Sequence, residues 1–246
     1  MKIPAIQGII DRRILVNFQV DPEVLARFLP SPFHPKLAGG SGIAGICLIR
    51  LKDMRPRLVP SWFGVSSENA AHRFAVEWSS EGQTHEGVYV PRRDTSSYFN
   101  TVLGGRLFPG AQHLALFEVE ERDGFYSVRL HSGDGQVRLK VVGRVAREIP
   151  RSSVFRSLDE ASNFFEQGAL GYSATQDPGR FDGMELRSLR WNVEPLAVEE
   201  VESSFFSNEK VFPRGSVRFD SALLMRDIEH EWHAREPLCH CEAHAA

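Results

Sequence analysis

Residues 113–146 read HLALFEVEERDGFYSVRLHSGDGQVRLKVVGRVA. Three runs with alternating apolar positions, His113 to Glu120, Phe125 to Ser132 and Val137 to Ala146, are separated by Arg122-Asp123-Gly124 and Gly133-Asp134-Gly135. Asp-Gly supplies the positive φ angles of a tight hairpin turn, so these runs are expected to form an antiparallel meander. Working outward, Val65 to Ser79 and Thr84 to Pro91 read as two further strands joined by a turn at Glu81-Gly82. Ile9 to Val20 and Gly45 to Leu51 precede them, and Met184 to Val193, Leu196 to Ser204 and Val217 to Met225 follow.

The predicted helices are few and short. Asp21 caps one, with Pro22 in its first turn and Val24, Leu25, Phe28 and Leu29 on its apolar face, and Pro30-Ser31-Pro32 stops it. Others are expected over Thr95 to Gly104, Leu158 to Gln167 and near Phe206 to Phe212. Strands and helices do not alternate, which argues against a doubly wound parallel sheet. The pattern fits a mainly β, α+β fold: an antiparallel barrel or packed pair of sheets with peripheral helices. Residues 1–228 read as one domain, and residues 229–246 as a flexible tail.

Composition limits the function. The 246 residues carry 29 Lys plus Arg against 32 Asp plus Glu, a net charge of −3, which gives no support for nucleic-acid binding. No stretch approaches the roughly 20 apolar residues that span a bilayer, and the first ten residues do not resemble a signal peptide. Three cysteines, Cys47, Cys239 and Cys241, do not suggest a disulfide framework, so a cytoplasmic protein is expected. The tail's Cys239-His240-Cys241 and His244 fit no standard zinc spacing, and neither metal nor cofactor is expected. Gly39-Gly40-Ser41-Gly42 lacks the Lys-Ser/Thr ending of a phosphate loop and reads as a turn. Only five of the 29 basic residues are lysines, and Lys140, on a charged strand face, reads as exposed.

Several polar residues stand out. Glu68, Ala70, His72, Phe74, Val76 and Trp78 share one strand face by alternation, with Asn69, Arg73 and Glu77 on the other. A carboxylate and an imidazole at one end of an apolar face fit the mouth of a ligand cavity. Arg92, Arg93 and Asp94 lie at a strand end before a helix, where guanidiniums favour an anion. His113 lies in a strand, and Arg106 among apolar residues calls for a partner or a ligand.

Three stretches carry a family resemblance: VDPEVLARFLPSPF (20–33), GVYVPRRDTSSYFNTVLGGRLFPGAQH (87–113) and VRFDSALLM (217–225). Together they resemble the acetoacetate decarboxylase superfamily, and within it the YqjF-type family. The resemblance implies a β-barrel or cone of antiparallel strands with helices outside and a ligand cavity inside, often in an oligomer of identical chains. The decarboxylases use a lysine that forms a Schiff base with a ketone. Here Leu107 follows Gly105-Arg106 where the family has Glu, and Gly110 and Ala111 stand where it has two lysines. Gln19 falls at a substrate-contacting arginine, while Glu68 matches an acidic position.

The resulting expectation is a protein that binds a small organic acid or ketone without Schiff-base chemistry. Gln19, Arg92, Arg93, Asp94, Arg106 and His113 are the expected ligand-binding residues. Glu68 and His72 are the candidates if the protein is instead a lyase, isomerase or dehydratase acting on a keto or hydroxy acid. A third reading is a partner-binding protein whose barrel is filled by its 17 phenylalanines.

Overall fold

The computed structural model describes residues 5–80, 82–103, 110–175 and 177–239. Among these residues the strands are β1 (Ile6–Val20), β2 (His34–Pro35), β3 (Leu37–Ala38), β4 (Ser41–Pro56), β5 (Val65–Ser80), β6 (Gln83–Thr95), β7 (Gln112–Arg122), β8 (Phe125–Ser132), β9 (Arg138–Val145), β10 (Leu170–Ala174), β11 (Arg180–Ser188), β12 (Glu194–Ser203) and β13 (Val217–Cys239). The α-helices are α1 (Pro22–Phe28), α2 (Tyr98–Leu103) and α3 (Leu158–Glu166). The fold is mainly β, as the strand pattern predicts.

The meander forms as its turns dictate. β7 and β8 pair antiparallel down to Arg122 opposite Phe125, with Asp123 at φ 51° and Gly124 at φ 75°. Asp21 caps α1 by accepting from the Glu23 and Val24 amides at 2.9 and 3.1 Å. Three expectations need correction. The helix expected from Thr95 begins only at Tyr98, because β6 holds Thr95 opposite Asn69. The Phe206 to Phe212 segment forms turns rather than a helix. The last strand continues beyond Met225, and residues 229–239, expected in a loose tail, pair with β11 from Ser188 opposite His230 to Arg180 opposite Cys239.

Strand pairing closes on itself twice. The path β6-β7-β8-β9-β12-β13-β1-β4-β5 is closed by β5 against β6. A second path, β13-β1-β4-β5-β6-β10-β11, is closed by β11 against β13. The two rings share a five-strand wall, β13-β1-β4-β5-β6. Its first face carries Ile14, Val16, Ala44, Ile46, Leu48, Ala70 and Phe74 into one apolar core. Its second face carries Leu15, Ile43, Cys47, Ile49, Ala75 and Leu223 into another, with Phe155, Ala161 and Phe165 at and within α3. Both faces are covered, so Ile14 to Val20 is buried at every position.

Aromatic rings fill the first core. Phe18 meets Phe206 at 4.7 Å between centroids, Phe28 meets Phe74 at 4.7 Å, and Phe28 meets Phe212 at 5.4 Å. Edge and tilted contacts of this kind add stability beyond the area they bury.

Candidate functional site

The wall's two faces sort the sequence candidates. Glu68 lies on the first face, in a charge cluster at one end. Its carboxylate accepts from Arg12 Nη2 and Arg50 Nε, each at 2.5 Å, and Glu121 accepts from Arg12 Nη1 at 2.6 Å. Asp11 accepts from Lys52 Nζ at 2.6 Å and Arg50 Nη1 at 3.3 Å. Arg12 is only 1% exposed, yet three cations face three carboxylates here, which offsets its desolvation. Burial works against ionisation of Asp11, but the hydrogen bonds from Lys52 and Arg50 outweigh it and hold its pKa below the ordinary value.

His72 lies on the same face, fully buried, with its ring 4.3 Å from that of Phe205. Neither ring nitrogen has a hydrogen-bond partner, and burial, assisted by the Arg92 charge, lowers its pKa to about 3. It is a neutral member of the aromatic core. Glu68 and His72 are therefore not brought together as an acid and base at a cavity.

Arg92, Asp94 and His113 do come together, also on the first face. Arg92 donates to both Asp94 oxygens through Nε, to Asp134 at 3.0 Å and to Gln136 at 3.0 Å. His113 Nδ1 lies 3.2 Å from Asp134. Burial raises the Asp94 pKa despite Arg92. Burial is also opposed at Asp134, where bonds from Ser132, the Gln136 amide and Arg92 bring the pKa to about 2. These groups satisfy one another and tie β6 to the β8–β9 turn. Gln19 is similarly engaged: it donates to Asp220 at 2.8 Å and Ser152 at 3.1 Å and accepts from Arg218 at 2.7 Å. Arg106 lies outside the described residues.

Arg93 points the other way, as period-two alternation requires of the residue between Arg92 and Asp94. On the second face it lines a cavity of about 90 Å³ with Arg13, Cys47, Asn69, Met54 and Trp232. Cys47 lies opposite Ala71, and Ala71 opposite Arg93, so one row across the wall forms the floor. Arg13 Nε donates to Cys47 Sγ at 3.3 Å, and Arg93 Nε to Ser173 Oγ at 3.1 Å. Asn69 is fixed by Ser67 at 2.9 Å, while the Trp232 indole N–H has no partner. Burial lowers the Arg93 pKa to about 10, with the Cys47 sulfur acting in the opposite direction. It remains a cation at neutral pH.

The second face is electrostatically unlike the first. Arg13, Arg73 and Arg93 all lie on it, and among the described residues no carboxylate comes within the 4.0 Å of an ion pair with any of them. Of the sequence candidates among the described residues, only Arg93 reaches this cavity. Arg13, Cys47, Asn69 and Trp232 were not among them. The signal for Arg13 was the adjacent pair Arg12-Arg13 in a strand, which must send one guanidinium to each face. Among the described residues no group of three or more His, Cys, Asp or Glu could hold a metal ion, and no helix is long and apolar enough to cross a membrane.

Comparison with known proteins agrees with this architecture. The sequence profile of DUF2071, described as an uncharacterized conserved protein, matches residues 10–225. No curated protein matches the sequence. Among solved structures, the acetoacetate decarboxylase of Legionella pneumophila subsp. pneumophila str. Philadelphia 1 aligns with a TM-score of 0.62 at 12% identity, covering 98% of this chain and 88% of that one. An acetoacetate decarboxylase-like enzyme from Sphingomonas wittichii RW1 aligns at 0.56 and 10% identity, covering 98% and 94%. The enduracididine biosynthesis enzyme MppR, complexed with the condensation product of pyruvate and imidazole 4-carboxaldehyde, aligns at 0.57 and 11% identity, covering 96% and 88%. At these identities the likeness establishes the fold, which is the one the sequence resemblance implied.

Proposed function

The chain belongs to the DUF2071 family, and from its site we propose that it binds a small organic acid in the cavity on the second face of the shared wall. One observation carries this reading: Arg93 and Arg13 line that cavity, and no described carboxylate neutralises either. A desolvated guanidinium without a counter-charge is costly, and a bound carboxylate removes the cost while accepting two parallel N–H bonds.

Size narrows the ligand class. A cavity of about 150 Å³ admits benzene, so the 90 Å³ here suits an acid of about two to four carbons. It is well below the roughly 300 Å³ of pockets for drug-sized ligands. Asn69 and the unpartnered Trp232 N–H supply polar contacts for a second oxygen, as in a keto or hydroxy acid. Among the described residues the cavity lining includes no lysine, so this reading assigns binding rather than Schiff-base decarboxylation. The two described cysteines are free thiols, in keeping with a cytoplasmic protein.

Isothermal titration with acetate, glyoxylate, pyruvate and lactate, and with octanoate as an oversized control, tests the proposal. Saturable binding of at least one short acid is expected, weakened tenfold or more by Arg93→Met, a loss of about 1.4 kcal/mol. Absence of binding across the short acids, or equal affinity in the variant, overturns it.

A further inference from the structure

Arg73 lies on the same face as Arg93 but outside the acid cavity, between the wall and α3. It is 5% exposed. Its Nη2 donates to Asn17 Oδ1 at 2.5 Å, and its guanidinium lies 4.8 Å from the centroid of the Phe165 ring. Its Nε has no partner. Gly45 on β4 leaves the space this side chain occupies, since a Cβ there would stand 3.2 Å from Nη2. Burial lowers the Arg73 pKa to about 10, which still leaves it charged at neutral pH.

A separate cavity of about 30 Å³ adjoins this guanidinium, lined by Arg13, Lys36, Val88, Phe165 and Gly168 among others. Lys36 is already compensated by Glu86 at 2.6 Å, whereas Arg13 and Arg73 have no described carboxylate partner. The volume holds about two waters, too little for even a short organic acid with its hydration. Water could solvate the two guanidiniums but not neutralise them, and a buried charge without a counter-charge is unfavourable. A small, singly charged, spherical anion fits both the volume and the charge. We propose that this cavity is a halide site, occupied by chloride, with Arg73 as its principal donor.

The two cavities share Arg13, but Arg93 lines only the acid cavity and Arg73 only this one, so substitutions at those two residues separate the sites. Chloride-35 NMR line width, titrated with sodium chloride, is the direct probe. Wild-type protein is expected to give excess broadening that is displaced by bromide. Arg73→Met should remove it, and Arg93→Met should retain at least half. Broadening equal to wild type in Arg73→Met overturns the assignment. Should that variant fail to fold, bromide-soaked wild-type crystals give the answer through anomalous scattering. A bromide peak within hydrogen-bond distance of Arg73 is expected, and two waters there at saturating bromide overturn the proposal. The outcome is independent of whether any organic acid binds, because neither measurement uses one.

Discussion

The shared wall carries Arg12, Arg50 and Arg92 on its first face and Arg13, Arg73 and Arg93 on its second. On the first face each guanidinium meets at least two carboxylates: Glu68 and Glu121 for Arg12, those two and Asp11 for Arg50, and Asp94 and Asp134 for Arg92. On the second face their partners are a thiol, a thioether, an amide, a hydroxyl and two aromatic rings. The same residue type on one shared wall therefore yields opposite designs. The first closes its charge internally and builds structure, and the second leaves positive charge beside cavities without a described carboxylate. Burial alone does not separate the two, because Arg12 is more buried than Arg93. The count of opposite charges within reach does.

The largest expected effect breaks the compensated face. Arg12→Met removes the most buried cation of the cluster and leaves the partly buried Glu68 and Glu121 with Arg50 alone, and should cost about 3 kcal/mol in urea unfolding. A loss below 1 kcal/mol would mean that the cluster is solvated and that the contrast between the faces is weaker than drawn here.

Acid comes next. His72 is held neutral in the folded chain, with its pKa lowered from 6.5 to about 3, and His230 is lowered to about 4 by burial. The unfolded chain binds protons at these sites as pH falls below 6.5, and the folded chain does not. Their contribution is thus complete above pH 6.5 and is lost progressively below it, at about 1.4 kcal/mol per pH unit for each group. His72→Phe should preserve the fold at pH 7.5 and roughly halve the histidine-dependent loss between pH 6.5 and 5, as read from urea midpoints at each pH. An unchanged slope would show that His72 takes up a proton in the native state and belongs to a polar site after all.

The second face predicts a smaller stability effect. Arg93→Met removes a charge that no described carboxylate balances, so its unfolding free energy without ligand should remain within about 1 kcal/mol of wild type. Binding of a short acid should fall in the same variant. A drop of 3 kcal/mol or more would make Arg93 structural, like Arg12. The smallest effect belongs to the outer surface. Lys140 pairs with Glu200 at 2.6 Å with both side chains partly in water, so Lys140→Ala should change stability by less than about 1 kcal/mol.

Much of this fold is legible in the sequence, because alternation and Asp-Gly turns are local signals. The meander, the long β5 and its division into Glu68-Ala70-His72-Phe74 on one face and Asn69-Arg73 on the other follow from period two alone. The second enclosed face is harder to read. Its signal is the unbroken burial of Ile14 to Val20 and Ile43 to Ile49, stretches rich in apolar residues rather than alternating ones. The bulge that inserts Asp11 between Ile10 and Arg12 also resets which face each residue takes, and no single-sequence pattern marks it. Among the described residues the candidate site was legible only at Arg93. Glu68 and His72 share a face as expected, but the partners that occupy them, Arg12, Arg50 and Phe205, come from distant parts of the chain. Whether a guanidinium has a carboxylate partner depends on such long-range neighbours, and that property distinguishes the two faces.

The common wall also bears on how the molecule opens. An amide in β1 or β4 is enclosed by both rings, so exposing it to solvent requires both to come apart. β8 belongs to one ring alone, as does β10, and either can detach while the wall stays paired. Hydrogen exchange should therefore be slowest in the wall and should report global unfolding there. β11, which contributes Met184 to the Arg93 cavity, and its neighbour β10 can exchange through partial opening. On the proposed binding reading, a ligand enters where strands move while the central wall stays intact.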